Sequence, residues 1–237
     1  GAWKSNSDQI IEYPFCDKFY VWTESQRKRS VKNISSKFNF GYNESDICVV
    51  PGGRASLSKV PVVKSELASK LRLMYVGTVY AVDRVTFTPI YPATVMLDWE
   101  IRFFREAIKQ NFEVIYKPHP ENSELNEKKL LEELGVSIIY DKFEEVMDQC
   151  DVAVFGQTNC SSFFSCLKTR NPIVLATPPL NAWHDDLKPI VDARCSTLET
   201  QLDENSRLQT NWSSLKDKVY RSLQLTDRSL ALELCGE

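Results

Sequence analysis

Residues 112–120, with the sequence Phe-Glu-Val-Ile-Tyr-Lys-Pro-His-Pro, decide the fold, because a short apolar segment runs directly into a polar loop. An apolar run of this length is typical of a strand buried in a parallel sheet. Similar runs recur, each ending near a turn or a polar segment, at 73–76, 136–140, 151–155 and 172–176.

The segments between these runs have the periodicity of helices. Residues 94–110 place Leu97, Ile101, Phe104 and Ile108 on one helical face. Further helices are predicted at 123–134, around 143–147, at 161–168 and at 211–224. Strand–helix–strand repetition predicts an α/β fold, with a Rossmann-like, mainly parallel sheet that has helices on both faces.

The composition bounds the function. The chain has 237 residues, 43% of them hydrophobic, and a net charge of -3, which argues against a nucleic-acid-binding protein. No apolar run is long enough to cross a membrane. The seven cysteines form no Cys-x-x-Cys pair, which favours free thiols and a cytoplasmic location. With only two histidines and no cysteine pair, no metal site is expected.

Lys117 and His119 are the first candidate site residues. They follow a strand, and ligands of open parallel sheets bind beyond the carboxyl ends of the strands. A lysine and a histidine there can hydrogen-bond an anion, and Pro118 and Pro120 fix the backbone between them. The structural alternative is that His119 only hydrogen-bonds a loop carbonyl.

A second polar segment follows the strand at 151–155 and opens a helix. Its amides, hydroxyls and main-chain N–H groups suit phosphate oxygens. Helix capping by one of these side chains is the alternative explanation. The candidate residues of this segment are Gln157, Thr158, Asn159, Ser161 and Ser162.

Gly77 and Thr78 form a third candidate segment, after the strand at 73–76, where a glycine permits close approach of a ligand to the backbone. A plain turn explains them equally well. His184 and Arg54 are weaker candidates: a structural role is favoured for His184, and a solvated turn for Arg54.

The order of these motifs resembles the C-terminal half of bacterial surface-polysaccharide glycosyltransferases of the GT-B class. Similar patterns occur in capsule synthesis proteins, Kdo transferases and bacterial sialyl- and polysialyltransferases. The resemblance implies that His119 contacts the donor phosphate and that Ser161 and Ser162 form the matching hydroxyl pair. It also implies that residues 1–66 are the remnant or linker of an N-terminal acceptor-side domain. Residues 67–237 would be the nucleotide-sugar-binding domain with C-terminal helices.

The implied activity is metal-independent transfer of a sugar to a surface glycan or glycolipid acceptor. The donor is a nucleotide sugar, with CMP- or CDP-linked donors favoured over UDP-linked ones, and no separate cofactor is expected. Because the acceptor base usually comes from the first domain, activity is expected to need that domain. A non-catalytic nucleotide-binding or docking module and a UDP-sugar 2-epimerase-like enzyme stay open as alternatives. So does peripheral association with the inner membrane or a polysaccharide synthesis complex.

Overall fold

A computed structural model describes residues 18–37, 44–50, 70–78, 91–120, 128–176 and 183–235. The strands are β1 (Phe19–Val21), β2 (Ile47–Val49), β3 (Arg72–Val76), β4 (Glu113–Lys117), β5 (Ser137–Ile138), β6 (Val152–Phe155), β7 (Ile173–Leu175), β8 (Ser196–Thr197), β9 (Thr200–Leu202) and β10 (Leu208–Thr210). The α-helices are α1 (Glu24–Lys37), α2 (Ala93–Lys109), α3 (Lys128–Glu133), α4 (Phe143–Val146), α5 (Ser161–Leu167), α6 (Lys188–Arg194), α7 (Leu215–Ser222) and α8 (Ser229–Cys235). Short 3-10 helices span Glu44–Asp46, Met147–Gln149 and Trp212–Ser214.

A six-stranded sheet has the order β5-β4-β3-β6-β7-β8, and every neighbouring pair is parallel. Counted along the chain from β3, this order is 3-2-1-4-5-6, which is the doubly wound Rossmann arrangement. The sheet therefore confirms the predicted fold class. The direction of winding reverses between β3 and β6, and ligands of such sheets bind beyond the strand ends at that point.

Two apolar cores cover the two faces of this sheet. On one face, Met74 and Phe155 pack with residues of α4, α5, α6 and α8. On the other face, Tyr75 and Tyr116 pack with residues of α2, α3 and α7. Neighbouring strand residues belong to different cores because side chains alternate across a strand. Helices cover both faces, as predicted.

Helix α2 differs from the prediction in the face that it buries. The buried residues are Met96, Trp99, Glu100, Phe103, Phe104 and Ala107. Of the four residues predicted for the apolar face, Phe104 is fully buried, whereas Leu97, Ile101 and Ile108 are partly exposed. The stripe is rotated because the large rings of Trp99 and Phe103 pack against Tyr75.

The segment after β7 contains strands that the sequence analysis did not predict. Strand β8 completes the main sheet, and β9 and β10 form an antiparallel hairpin. This hairpin packs against α2, where the Trp99 Nε1–H donates a hydrogen bond to Thr210 Oγ1 at 2.8 Å. Asp98 accepts hydrogen bonds from Arg207 and Arg102, and the Arg207 bonds hold the pKa of Asp98 below its usual value.

Replacement of Asp98 by Asn is expected to lower the free energy of unfolding by about 0.5–1 kcal/mol at pH 6, the usual contribution of exposed ion pairs. The pKa of Asp98 is lower in the folded protein than in the unfolded chain. The stabilisation of the fold by its ion pairs is therefore fully present above the unfolded pKa, and it is lost as the pH falls through the folded pKa. Denaturant titrations at pH 6 and pH 2.5 test this. An equal loss at both pH values would contradict it, and Asp148→Asn, at an exposed site, is the control.

The N-terminal described residues form a separate parallel pair, β1 with β2, joined by α1. This unit contacts α8 through Gln26, whose amide donates to the Leu234 carbonyl at 3.2 Å. Arg29 forms ion pairs with Asp186 and Glu233. The predicted domain boundary at 66/67 and the candidate Arg54 lie within 51–69, outside the described residues, so both stay predictions.

Candidate functional site

The three predicted ligand-binding segments lie side by side at one edge of the sheet. Val76 of β3 is in register with Lys117 of β4 and with Phe155 of β6. The Gly77 N–H donates a hydrogen bond to the Lys117 carbonyl at 2.9 Å, which extends this register past the strand end. The ends of β4 and β6 are therefore about 10 Å apart, two strand spacings. The segments flank the point where the winding of the sheet reverses.

Lys117 is the last residue of β4, and its side chain is buried, with 5% of its surface exposed. Its ammonium group donates a hydrogen bond to the Pro118 carbonyl at 2.9 Å. Burial lowers the pKa of Lys117, whereas the carboxylates of Asp141 and Glu144 act in the opposite direction. The predicted phosphate contact of Lys117 stays a prediction, and the structure adds an internal bond that holds the following loop.

His119 lies in that loop, between the buried Pro118 and the exposed Pro120. Its side chain is half-buried. The fixed φ angles of the two prolines and the bond from Lys117 to the Pro118 carbonyl restrict the backbone on which the imidazole is mounted. A ligand that bound here would meet an imidazole whose backbone is already ordered.

The segment after β6 contains both buried and exposed polar groups. Thr158 is buried, Gln157 and Ser162 are half-buried, and Asn159 and Ser161 are exposed. Helix α5 begins at Ser161, as predicted, but its N-cap residue is Cys160, whose side chain makes no capping hydrogen bond. The N-cap position is therefore occupied by a residue outside the five candidates.

The glycines at the ends of β3 and β6 make room for two tyrosine hydroxyls. A Cβ on Gly77 would lie 2.7 Å from the Tyr116 hydroxyl oxygen, and one on Gly156 would overlap the Tyr75 hydroxyl. Tyr75 donates a hydrogen bond to the buried Glu100 carboxylate at 2.8 Å. Burial first, and then the charge of Glu100, raises the pKa of Tyr75 well above its usual value. This neutral hydroxyl supports the strand end where the segment after β6 begins.

Replacement of Gly156 by Ala is expected to lower the free energy of unfolding by about 2 kcal/mol, because the added methyl group overlaps the Tyr75 hydroxyl. In a Tyr75→Phe background the loss is expected to be smaller, since the nearest ring atom, Tyr75 Cζ, is 3.3 Å from the added carbon. A double-mutant cycle by urea denaturation measures this coupling. Additive losses would show that the hydroxyl is not the obstacle.

The remaining candidates are Thr78, in the segment after β3, and His184, which follows β7 along the chain. Thr78 is buried after β3, and residues 79–90, which follow it, lie outside the described residues. His184 is half-buried in the segment after β7, and its carbonyl accepts hydrogen bonds from the N–H groups of Leu187 and Lys188. The neighbouring Trp183 packs against Phe163 of α5, with ring centroids 6.2 Å apart.

Comparisons with known proteins do not identify a family. No protein-family model matches the chain, and no curated protein matches it. One solved structure that it resembles is HmdII from Desulfurobacterium thermolithotrophum, reconstituted with the Fe-guanylylpyridinol cofactor and co-crystallised with methenyl-tetrahydrofolate. The two share 13% identity with a TM-score of 0.34 over 68% of this chain. The chain spans about half of that structure, 52%.

Two further properties bear on the site. None of the helices in the described ranges combines the length and the apolarity that a membrane crossing requires. Among the residues with described positions, no group of three or more His, Cys, Asp or Glu is placed to hold a metal ion.

Two features near the site were not found by sequence analysis. The burial of Glu100 could have been predicted from helical spacing, since it falls four residues after Met96 and three before Phe103, on the buried face of α2. Tyr140 follows β5, which pairs with β4, and is 45% exposed. No pattern in the sequence marked Tyr140 as a candidate site residue, because it is the last residue of the apolar run at 136–140 and was assigned to that strand.

Proposed function

We propose that this chain binds a nucleotide sugar, CMP- or CDP-linked rather than UDP-linked, at the strand ends that carry His119, Gly77 and the segment after β6. It would thereby form the donor-binding part of a glycosyltransferase that acts on a surface glycan or glycolipid. The observation that supports this most is the sheet order, in which β4 and β6 flank β3 at the reversal of winding. Dinucleotides and mononucleotides bind at this place in doubly wound sheets.

The chemistry that this site would supply is stabilisation of negative charge. When the bond between sugar and phosphate breaks, the departing nucleotide gains charge on its phosphate oxygens. Donors that are already ordered stabilise such charge without reorganisation. His119 is the candidate donor on one side of Gly77, and Ser161 and Ser162 are candidates on the other. Lys117 would act through its charge and through the bond that holds Pro118.

The proposal covers donor binding and leaving-group stabilisation. By the resemblance, the base that deprotonates the acceptor belongs to an acceptor-side domain. A non-catalytic docking module on the same scaffold differs in one measurable property, because it would bind no nucleotide.

Isothermal titration calorimetry with CMP, CDP and UDP tests the proposal. Binding of CMP or CDP with micromolar to millimolar dissociation constants, tighter than that of UDP, is the expected result. The absence of heat with all three nucleotides would overturn the nucleotide-binding proposal and favour a docking module. Tighter binding of UDP would overturn the donor assignment and revive the 2-epimerase-like alternative.

A further inference from the structure

Tyr140 follows β5, the strand that pairs with β4, and its side chain is 45% exposed. Strand β5 pairs with β4 in the register Tyr116 with Ile138, and the Ile139 N–H donates to the Tyr116 carbonyl at 3.0 Å. Two residues further along both strand segments, the same register would bring Tyr140 opposite Pro118. If the register continues past the end of β5, the main chain of Tyr140 lies about 5 Å, one strand spacing, from the loop that carries His119.

The charges on the two sides of this loop differ. Asp141 follows Tyr140 directly, is exposed, and acts to raise the pKa of Lys117, so its carboxylate influences the β4 end. The segment from Gly156 to Ser162 contains amides, hydroxyls and a thiol but no carboxylate. On the β5 side Asp141 is followed by the exposed Lys142, so both signs of charge lie there, whereas the uncharged hydroxyl and amide donors that suit a phosphate are concentrated at the β6 side. This distribution of donors would place the charged end of a bound nucleotide toward the segment after β6.

We propose that Tyr140 is the stacking platform for the base of the bound nucleotide, with the phosphates directed toward the segment after β6. This inference rests on the proposed function and adds the orientation of the ligand. The ends of β5 and β6 are about 14 Å apart, three strand spacings, a length that a nucleoside diphosphate can span. An aromatic face binds any base, because every base has a π-surface.

Exposed tyrosines are common on protein surfaces, so position rather than exposure distinguishes Tyr140. Tyr220 on α7 provides the comparison, because it is also 45% exposed but lies on a helix that packs on one face of the sheet. Tyr220→Ala is therefore the matched control, with the same change of side chain at the same degree of exposure.

The test is calorimetric titration of the full chain and its variants with CDP, and with pyrophosphate as the ligand without a base. Tyr140→Ala is expected to weaken CDP binding about tenfold, the loss of one aromatic stack, and to leave the pyrophosphate isotherm unchanged. Tyr140→Phe and Tyr220→Ala are expected to bind CDP like the unmodified chain.

The outcomes separate the two proposals. If the unmodified chain binds CDP and Tyr140→Ala binds it equally well, the stacking role is wrong and the proposed function stands. If Tyr140→Ala changes the pyrophosphate isotherm as much as the CDP isotherm, the ring does not act on the base, and the stacking role is again overturned. If the unmodified chain binds no nucleotide, the proposed function fails, and the stacking role fails with it.

Discussion

His119→Ala is expected to weaken the binding of CMP and CDP about 30-fold. A hydrogen bond to a charged group contributes about 1.5–3 kcal/mol, and removal of the imidazole deletes such a bond to the phosphate. The thermal midpoint is expected to change little, because the side chain is only half-buried and the loop is held by Lys117 and the two prolines. Calorimetric titration of both nucleotides, with a melting curve of each protein, measures the two effects separately.

The other histidine provides the control for this substitution. His184 lies in the segment after β7, two strands from β3 in the sheet order. His184→Ala is expected to bind CMP and CDP like the unmodified chain. Unchanged affinity in His119→Ala would remove the His-Pro loop from the site. A loss in His184→Ala alone would move the ligand toward β7.

The strands of the main sheet were predictable wherever they contain a run of three or more apolar residues. Strands β3, β4, β6 and β7 were found within one or two residues, because buried parallel strands have such sequences. Strand β8 consists of Ser196 and Thr197, and two polar residues give no such signal. The hairpin of β9 and β10 was missed as well, since its strands are three residues each and contain glutamine and threonine.

The candidate site was predictable as a set of strand ends, but its arrangement was not. Apolar runs locate the strands along the chain, whereas the sheet order depends on how the connecting helices pack. Only the order shows that the segments after β4 and β6 both neighbour Gly77. The hydrogen bond from the Lys117 ammonium group to the Pro118 carbonyl was not predicted either. Lys117 is the last residue of β4 and lies one residue beyond the apolar run, so the sequence pattern did not indicate that its side chain is buried.

Arg194→Leu is expected to produce the largest loss of stability, about 3 kcal/mol. Arg194 ends α6, is 1% exposed, and donates hydrogen bonds to main-chain carbonyls of Thr169 at 3.1 Å, Asn171 at 2.9 Å and Leu225 at 3.3 Å. These carbonyls follow α5 and α7, so one guanidinium group joins the ends of three helices. Each buried carbonyl left without a donor costs about 1 kcal/mol or more.

The loss corresponds to a thermal midpoint about 6–12 °C lower, for a chain of this length. Arg194→Lys keeps the charge but has no planar fork, so it is expected to recover only part of the stability. Arg221→Ala, at an exposed position of α7, is the control and should change the midpoint by little. A stable Arg194→Leu protein would mean that the leucine packs well enough to offset the lost bonds, as has been seen where buried charges are replaced by apolar groups. In that case Arg194 would not be needed for stability, because burial of the guanidinium group would cost about as much as its hydrogen bonds to main-chain carbonyls contribute.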